Sequence, residues 1–424
     1  MSSPLVSTHP QPAGYWPLVR DNTNFRLVWL GSIVSLCGDW FNTIALYTVV
    51  ERLTSSPLAM GMVFLVKTLS YALASPIAGV IADRYNRRRL MIGTDLVRAV
   101  LVLGFLWIGE AEELWLLYVL AALQMMLGAV FIPCKKASVP NIVSARELVT
   151  ANALMAATWS TLLALGAAAG GLATAWLGTK MVFCIDSATY ILSAILLSRA
   201  RIPQNTSSAE GPLWRQAFRD VIDGWSYLWR HPAVLRISLA KPAWAIGGGA
   251  LVYMLTLLGD TVAASFALGV GILFSARGLG TGIGPIVARA VFRAEERWPA
   301  VMGGCVILSG LGYLVVGYIP WSLWILIPIV ISHAASAANW VLSTVILQQR
   351  TEDAYRGRVF ATEWLTLTLI DAVAIACSST LLEAGHLSLR TGIRWAAVVQ
   401  IVTGVLWWLL VIPRERRDPS VDAS

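Results

Sequence analysis

Long apolar runs alternate along this chain with short polar connections. A helix that crosses the hydrocarbon core of a bilayer needs about 20 largely apolar residues. Runs of that kind fall at 25–50, 57–82, 90–109, 114–133, 149–177, 179–199, 236–259, 264–292, 299–319, 321–347, 358–382 and 391–412. The pattern predicts an all-α polytopic membrane protein with twelve transmembrane helices. It leaves a polar segment at 1–24, a long central connection at 200–235 and a polar tail at 413–424. The start holds no apolar stretch, so the expectation is that no signal peptide is cleaved and that the first span targets the chain. Ser144 followed by Glu147 has the spacing of a capping box and predicts a clean start for the fifth span.

The connections differ in charge. Arg20 and Arg26, Arg84 with Arg87, Arg88 and Arg89, Lys135, Lys136 and Arg146, and six arginines from Arg199 to Arg236 fall on one side. Arg289, Arg293 and Arg297, then Arg350, Arg356 and Arg358, then Arg414, Arg416 and Arg417 continue that set, which holds twenty-four of the 32 bases. The opposite set holds Arg52, Lys180 and Arg390. By the positive-inside rule both termini are expected in the cytoplasm of a bacterial-type inner membrane, which requires an even number of spans. Trp107, Trp115, Trp176, Trp321 and Trp324 flank the outer ends and Trp225, Trp229 and Trp298 the inner face, as interfacial aromatics do.

Composition agrees and narrows the classes. The 424 residues are 57% hydrophobic and 13% charged, against roughly 25% charged in soluble domains. The net charge of +8 is dispersed over alternate loops, so a membrane and not a nucleic acid is the expected partner. Cys37, Cys134, Cys184, Cys305 and Cys377 lie far apart, without metal-ligand or redox spacing, and read as small apolar fillers. There is no phosphate-binding loop, and the glycines of GLGTGIG (Gly278, Gly280) follow no strand, so helix packing explains them. No metal site, cofactor or catalytic residue is expected, and the chain is not read as an enzyme.

The connection at 200–235 carries RQAFRDVIDGWSYLWRHP and reads as an amphipathic cytoplasmic linker on the membrane, or alternatively as a solvated helix. It separates an N-terminal half, 25–199, from a C-terminal half, 236–412, and the halves show weak internal similarity. FLVKTLSYALASPIAGVIADR and FSARGLGTGIGPIVARAVFR each place a cation (Lys67, Arg277) three residues after a Phe, and a small residue before proline (Ser75-Pro76, Gly284-Pro285) half a span later. Repeated halves around a central path are common in secondary transporters.

The most specific stretch is GVIADRYNRRRL, between the second and third spans. Its Gly79, Asp83, Arg84, Arg87 and Arg88 resemble the loop signature of the major facilitator superfamily. NFRLVWLGSIVSLCGDWFNTIALY, SVPNIVSARELVTANAL, FCIDSATYILSAILL, FSARGLG and RGRVFATEW extend the resemblance over essentially the whole chain, towards the branch of the enterobactin exporter and macrolide-efflux proteins. The resemblance implies the major-facilitator fold, two pseudo-symmetric six-helix halves, and export of a small drug-like or siderophore-like molecule, commonly driven by inward proton flow. It also implies a cytoplasmic gate at the loop signature, in which a small residue permits close helix approach and Asp83 meets a facing helix; Arg356 and Arg358 are candidates for the same gate. Two positions depart from the family's pattern. Gln124 stands four residues before Gly128 where efflux members often carry Arg, and Gly166, Ala167, Gly170 and Gly171 lack the proline of the antiporter pattern. Those glycines still predict close packing. The departures keep an importer or a lysolipid flippase open as alternatives, with a non-transporting sensor as a third.

Charges inside spans are costly and therefore candidates for function. Asp39, mid-span, suits proton uptake and release, or else a packing hydrogen bond or a salt bridge to Lys67. Lys67 and Arg277 could meet an anionic substrate or neutralise Asp39 and Asp371. Asp371 is a second proton-site candidate. Glu363, two turns earlier, could instead join the gate with Asp83, Arg356 and Arg358. Asp95 and Arg98 have the spacing of a structural pair, Lys241 is close enough to the inner face to snorkel, Asp186 is close enough to the outer end for a structural role, and His333 reads as a satisfied interior residue or alternatively a proton switch. The expected partners are a small-molecule substrate, protons and lipid, with one copy sufficient for function.

Overall fold

Apolar runs of this length form helices because no water is present in a bilayer to satisfy an open backbone. The computed structural model describes residues 14–204, 212–292 and 294–417, and among these every regular element is helical. Positions 1–13, 205–211 and 418–424 of the expected leading segment, linker and tail, and Arg293 of the basic set, lie outside the described residues. The helices are α1 (Tyr15–Asp21), α2 (Thr23–Thr54), α3 (Pro57–Arg84), α4 (Arg87–Gly104), α5 (Leu114–Ile142), α6 (Ala145–Arg199), α7 (Leu213–Arg230), α8 (Pro232–Ser238), α9 (Ala240–Thr256), α10 (Gly259–Val262), α11 (Phe266–Val291), α12 (Trp298–Tyr318), α13 (Leu326–Arg350), α14 (Asp353–Glu383), α15 (Leu389–Leu410) and α16 (Ile412–Glu415). Ten helical stretches among the described residues are long and apolar enough to cross a membrane.

Local chemistry fixes the helix starts. Asn22 Oδ1 accepts from Phe25 N at 3.0 Å to open α2, and Ser56 Oγ accepts from Ala59 N at 3.1 Å with Pro57 in the first turn of α3. The expected capping box at Ser144 is formed, with Ser144 N donating to Glu147 Oε2 at 2.8 Å. The 55 residues of α6 would run about 80 Å as one rod. Yet both ends of α6 return to the start of α2: Asn22 Nδ2 donates to Ile142 O at 2.7 Å, and Arg201 N donates to Asn24 Oδ1 at 2.8 Å. The chain doubles back at Gly178, the one residue left between two expected spans, whose φ of 78° and ψ of 161° are non-helical. The expected span at 236–259 is also divided: α8 ends at Ser238, and α9 restarts after Leu239.

Pairings repeat between the halves. In the N-terminal half α3 lies against α5 and α4 against α6; in the C-terminal half α11 lies against α13 and α12 against α15. The halves meet through α3 with α14 and α6 with α11.

The two ends of the bundle differ. At one end, called basic here, the last described helix is tied to α8 and α13 among the arginines: Glu415 receives Arg236 Nε and Arg350 Nη1, each at 2.7 Å. The linker helix α7 spans the halves at this end, with Arg84 Nη2 donating to Gln216 Oε1 at 2.8 Å and Arg358 Nε donating to Asp220 Oδ1 at 3.0 Å. At the far end the halves touch directly. Ser56 Oγ and Leu58 N both donate to Glu383 Oε2, at 2.7 and 3.1 Å, and Tyr253 Oη donates to Pro57 O at 2.6 Å. Ser275 Oγ donates to Ala164 O at 2.7 Å, and a Cβ placed on Gly171 would stand 2.9 Å from Gly271 Cα. Towards the basic end of the same seam the approach relaxes to ordinary van der Waals contact, a Cβ on Gly282 standing 3.9 Å from Ser160.

Candidate functional site

Asp39 sits about midway along α2, its side chain 34% exposed. Tyr190 Oη donates to Asp39 Oδ1, and Gln124 Nε2 donates to Tyr190 Oη at 2.9 Å, so α2, α5 and α6 converge on one carboxylate. Arg98 Nη1 lies 3.9 Å from the same Oδ1. Its guanidinium is held by Asp95 and lies over Tyr190 at 4.4 Å and Phe131 at 4.9 Å. Ser193 Oγ donates to Asp95 Oδ2 at 2.7 Å. One turn along α2, Asn42 Nδ2 donates to Asp186 Oδ2 at 2.8 Å, and Thr189 Oγ1 donates to Asp186 O at 2.7 Å. The expected Asp95–Arg98 pair is present, and it also brings the cation to Asp39. The sequence showed that pair through its spacing of three, but Tyr190 stands 151 residues from Asp39 and carried no signal of its own.

Lys67 makes no ion pair with Asp39. Its Nζ donates to Thr43 Oγ1 at 2.9 Å and lies 5.9 Å from the centre of the Tyr47 ring. Arg277 sits 5.4 Å over the Phe274 ring, and its buried Nε has no hydrogen-bond partner. Asp371 stands against α9, where a Cβ on Gly249 would come within 2.7 Å of Asp371 Cγ; its Oδ1 is buried without a partner.

Two readings are corrected by burial. Lys241 does not snorkel: its ammonium donates to both oxygens of Glu363, at 2.9 and 2.8 Å, and both side chains are 3% exposed. Glu363 is thereby taken away from Asp83, Arg356 and Arg358. The ammonium also faces the rings of Trp340 at 5.1 Å and Phe360 at 5.7 Å. His333 is an interior residue whose Nε2 lies 2.8 Å from Tyr313 Oη.

The loop signature lies at the basic end in an unlocked arrangement. A Cβ on Gly79 would meet nothing within 4 Å, and the Asp83 side chain, 67% exposed, reaches Arg87 at 3.4 Å and no other cation among the described residues. Arg87 Nη1 donates to Ala137 O at 2.8 Å, and Arg88 Nε donates to Leu197 O at 3.1 Å. Arg356 pairs with Asp353 at 2.8 Å. Arg358 binds α7, as described above. The packing glycines make the close approach their sequence predicts: Gly166 faces Trp40, Gly170 faces the backbone of Phe41, and Gly171 faces Gly271.

A partly exposed carboxylate, a phenol that donates to it and an arginine within reach form one polar group in the N-terminal half. Orphaned cationic and acidic groups stand nearby in the other half. Comparison with known proteins agrees with a carrier. The enterobactin exporter EntS of Shigella boydii is 24% identical, with 81% of each chain covered, and macrolide efflux protein A of Streptococcus pyogenes is 19% identical, covering 84% of this chain and 88% of that one. An uncharacterized transporter of Bacillus subtilis, YfiS, is 25% identical over 229 residues, about half the length of each chain. Among solved structures, a peptide transporter POT in complex with alafosfalin superposes with a TM-score of 0.74 at 12% identity, covering 96% of this chain and 99% of that one. The profile of the Major Facilitator Superfamily matches residues 28–374, and the chain therefore belongs to this superfamily of multi-pass membrane transporters.

Proposed function

We propose that this transporter exports a small amphipathic molecule, drug-like or siderophore-like, by alternating access with inward proton flow through Asp39. On this reading α6 supplies two crossings and α8 with α9 one, which makes twelve. Both chain ends face the cytoplasm of a bacterial-type inner membrane, and one copy contains the whole path. The observation that carries the reading is the placement of Asp39, about one-third exposed and held by Tyr190 beside Arg98. A proton arriving there would cancel the charge that attracts Arg98 and loosen the contact of α2 with α4 and α6. The basic loops support the orientation, and the names of EntS and macrolide efflux protein A support the direction. The halves are interlocked at the far end and joined through α7 at the basic end, an arrangement that suits a state open to the cytoplasm.

The test is efflux of fluorescent drugs and catecholate siderophores from cells making equal amounts of the wild type or Asp39→Asn, with and without a proton uncoupler. The expected outcome is uncoupler-sensitive efflux that falls at least tenfold in the variant. Efflux that survives in Asp39→Asn and still responds to the uncoupler would remove Asp39 from the coupling step. Gln124, where the resembled exporters often carry Arg, favours a second reading as an importer or lysolipid flippase. Lysolipid movement in proteoliposomes without a pH gradient would select it.

A further inference from the structure

Lys67 and Arg277 occupy matching depths, about 15 Å and about 16 Å along α3 and α11 from the far-end starts of those helices. Both cations border one aromatic cluster. The Tyr47 ring, beneath Lys67, lies 6.3 Å from the Phe274 ring, beneath Arg277, and Trp40 lies 6.1 Å from Phe274. Several hydrogen-bond donors around this cluster lack an acceptor of their own. Lys67 spends one donor on Thr43, Arg277 Nε has no partner, and Trp40 Nε1 is buried with none. No carboxylate forms an ion pair with either cation among the described residues; Asp39 and Asp186 act on Lys67, and Asp371 on Arg277, at longer range. Buried donors without acceptors are expensive, more so for charged groups. Lys67, Arg277 and Trp40 are each partly exposed, while Tyr47 and Phe274 are buried behind them, so a ligand that brings acceptors and a ring to these three side chains would satisfy the donors and cover the indole.

We propose that the substrate is an aromatic organic anion whose negative group is shared between Lys67 of the N-terminal half and Arg277 of the C-terminal half, with Trp40 against its ring. This rests on the transporter reading and gives it a substrate class. Because each half contributes one cation, the bound anion ties the halves together, and its release accompanies their separation.

The experiment measures binding to the purified full chain in lipid nanodiscs, using dansyl-phenylalanine and 2-naphthoate, each beside its methyl ester. The acids should bind at least tenfold more tightly than the esters. Lys67→Gln and Arg277→Gln should each weaken acid binding about tenfold and leave the esters unchanged, and the double variant should lose the preference. Lys67→Arg and Arg277→Lys, which keep the charges, should retain most of it; thermal unfolding of each variant reports folding separately. Equal binding of acid and ester, no binding of either acid, or a preference that survives in the double variant overturns the proposal. The measurement needs no gradient and no direction of flux, so a failed efflux assay would sink the export reading while leaving an acid preference intact.

Discussion

Lys241 and Glu363 place opposite charges where each side chain is 3% exposed, the lysine on a helix most of whose residues are buried. Taking each ion from water costs several kcal/mol, which their mutual attraction offsets only while both are present. Glu363→Gln should therefore destabilise the fold by about 3–5 kcal/mol, because it leaves a buried ammonium without its counter-charge. The measure is the apparent melting temperature in detergent, and the double variant Lys241→Met with Glu363→Leu should recover most of the loss. A Glu363→Gln protein as stable as the wild type would show that the pair carries no such strain. The separation of 122 positions between the partners explains why the sequence assigned each a different role. Charge type and approximate depth are readable from a run of residues, as at Asp39 and Arg277, whereas a partner on another helix is not. Asp95 with Arg98 was readable because both lie on one helix three residues apart.

At the scale of helices, α6 and α11 approach so closely that a Cβ on Gly171 would meet Ala267 O at 2.6 Å and Gly271 Cα at 2.9 Å. Small residues let helix backbones touch in a membrane, where dispersion and not water exclusion holds helices together. Gly171→Leu should force this seam apart at the far end. We expect transport to fall at least tenfold and a cysteine introduced at Ser56 to react several-fold faster with a membrane-impermeant thiol reagent. Gly282→Ala, with 3.9 Å to its nearest neighbour across the same seam, should change neither. Unchanged reactivity in Gly171→Leu would mean that this contact does not hold the far end shut. The sequence predicted close packing at Gly166, Gly170 and Gly171 because small residues recur there, but it did not identify Gly271 as their counterpart. Helix extents were largely readable, since an apolar run of sufficient length has few alternatives in lipid. The break at Leu239 was not, because Ser, Leu and Ala leave no turn signal there.

For the whole molecule, the division into halves followed from the long central connection and from matched residues such as Ser75-Pro76 and Gly284-Pro285, and the repeated helix pairings agree with it. The conformational state could not be read in this way, because it depends on contacts between halves that share no local pattern. Direct polar contacts lie at the far end, Ser56 and Leu58 on Glu383 and Tyr253 on Pro57, with the seam of Gly171 and Gly271 beside them, while deeper in the bundle Tyr71 of α3 meets Trp364 of α14 edge to face at 6.2 Å. At the basic end α7 reaches both halves, to Arg84 on one side and to Arg358 on the other. If transport requires the far end to open, then tying it should arrest turnover without touching the polar groups around Asp39. In a background where the exposed Cys184 and Cys377 and the other native cysteines are replaced, Ser56→Cys with Glu383→Cys should be joined by a short bifunctional thiol reagent. Efflux should then fall at least tenfold, and a cleavable form of the reagent should restore it on reduction. Ligand binding from the basic end should persist in the joined protein, since the far end is already closed in this state. Undiminished efflux after complete crosslinking would mean that the substrate leaves without separating α3 from α14, and alternating access through this seam would have to be abandoned.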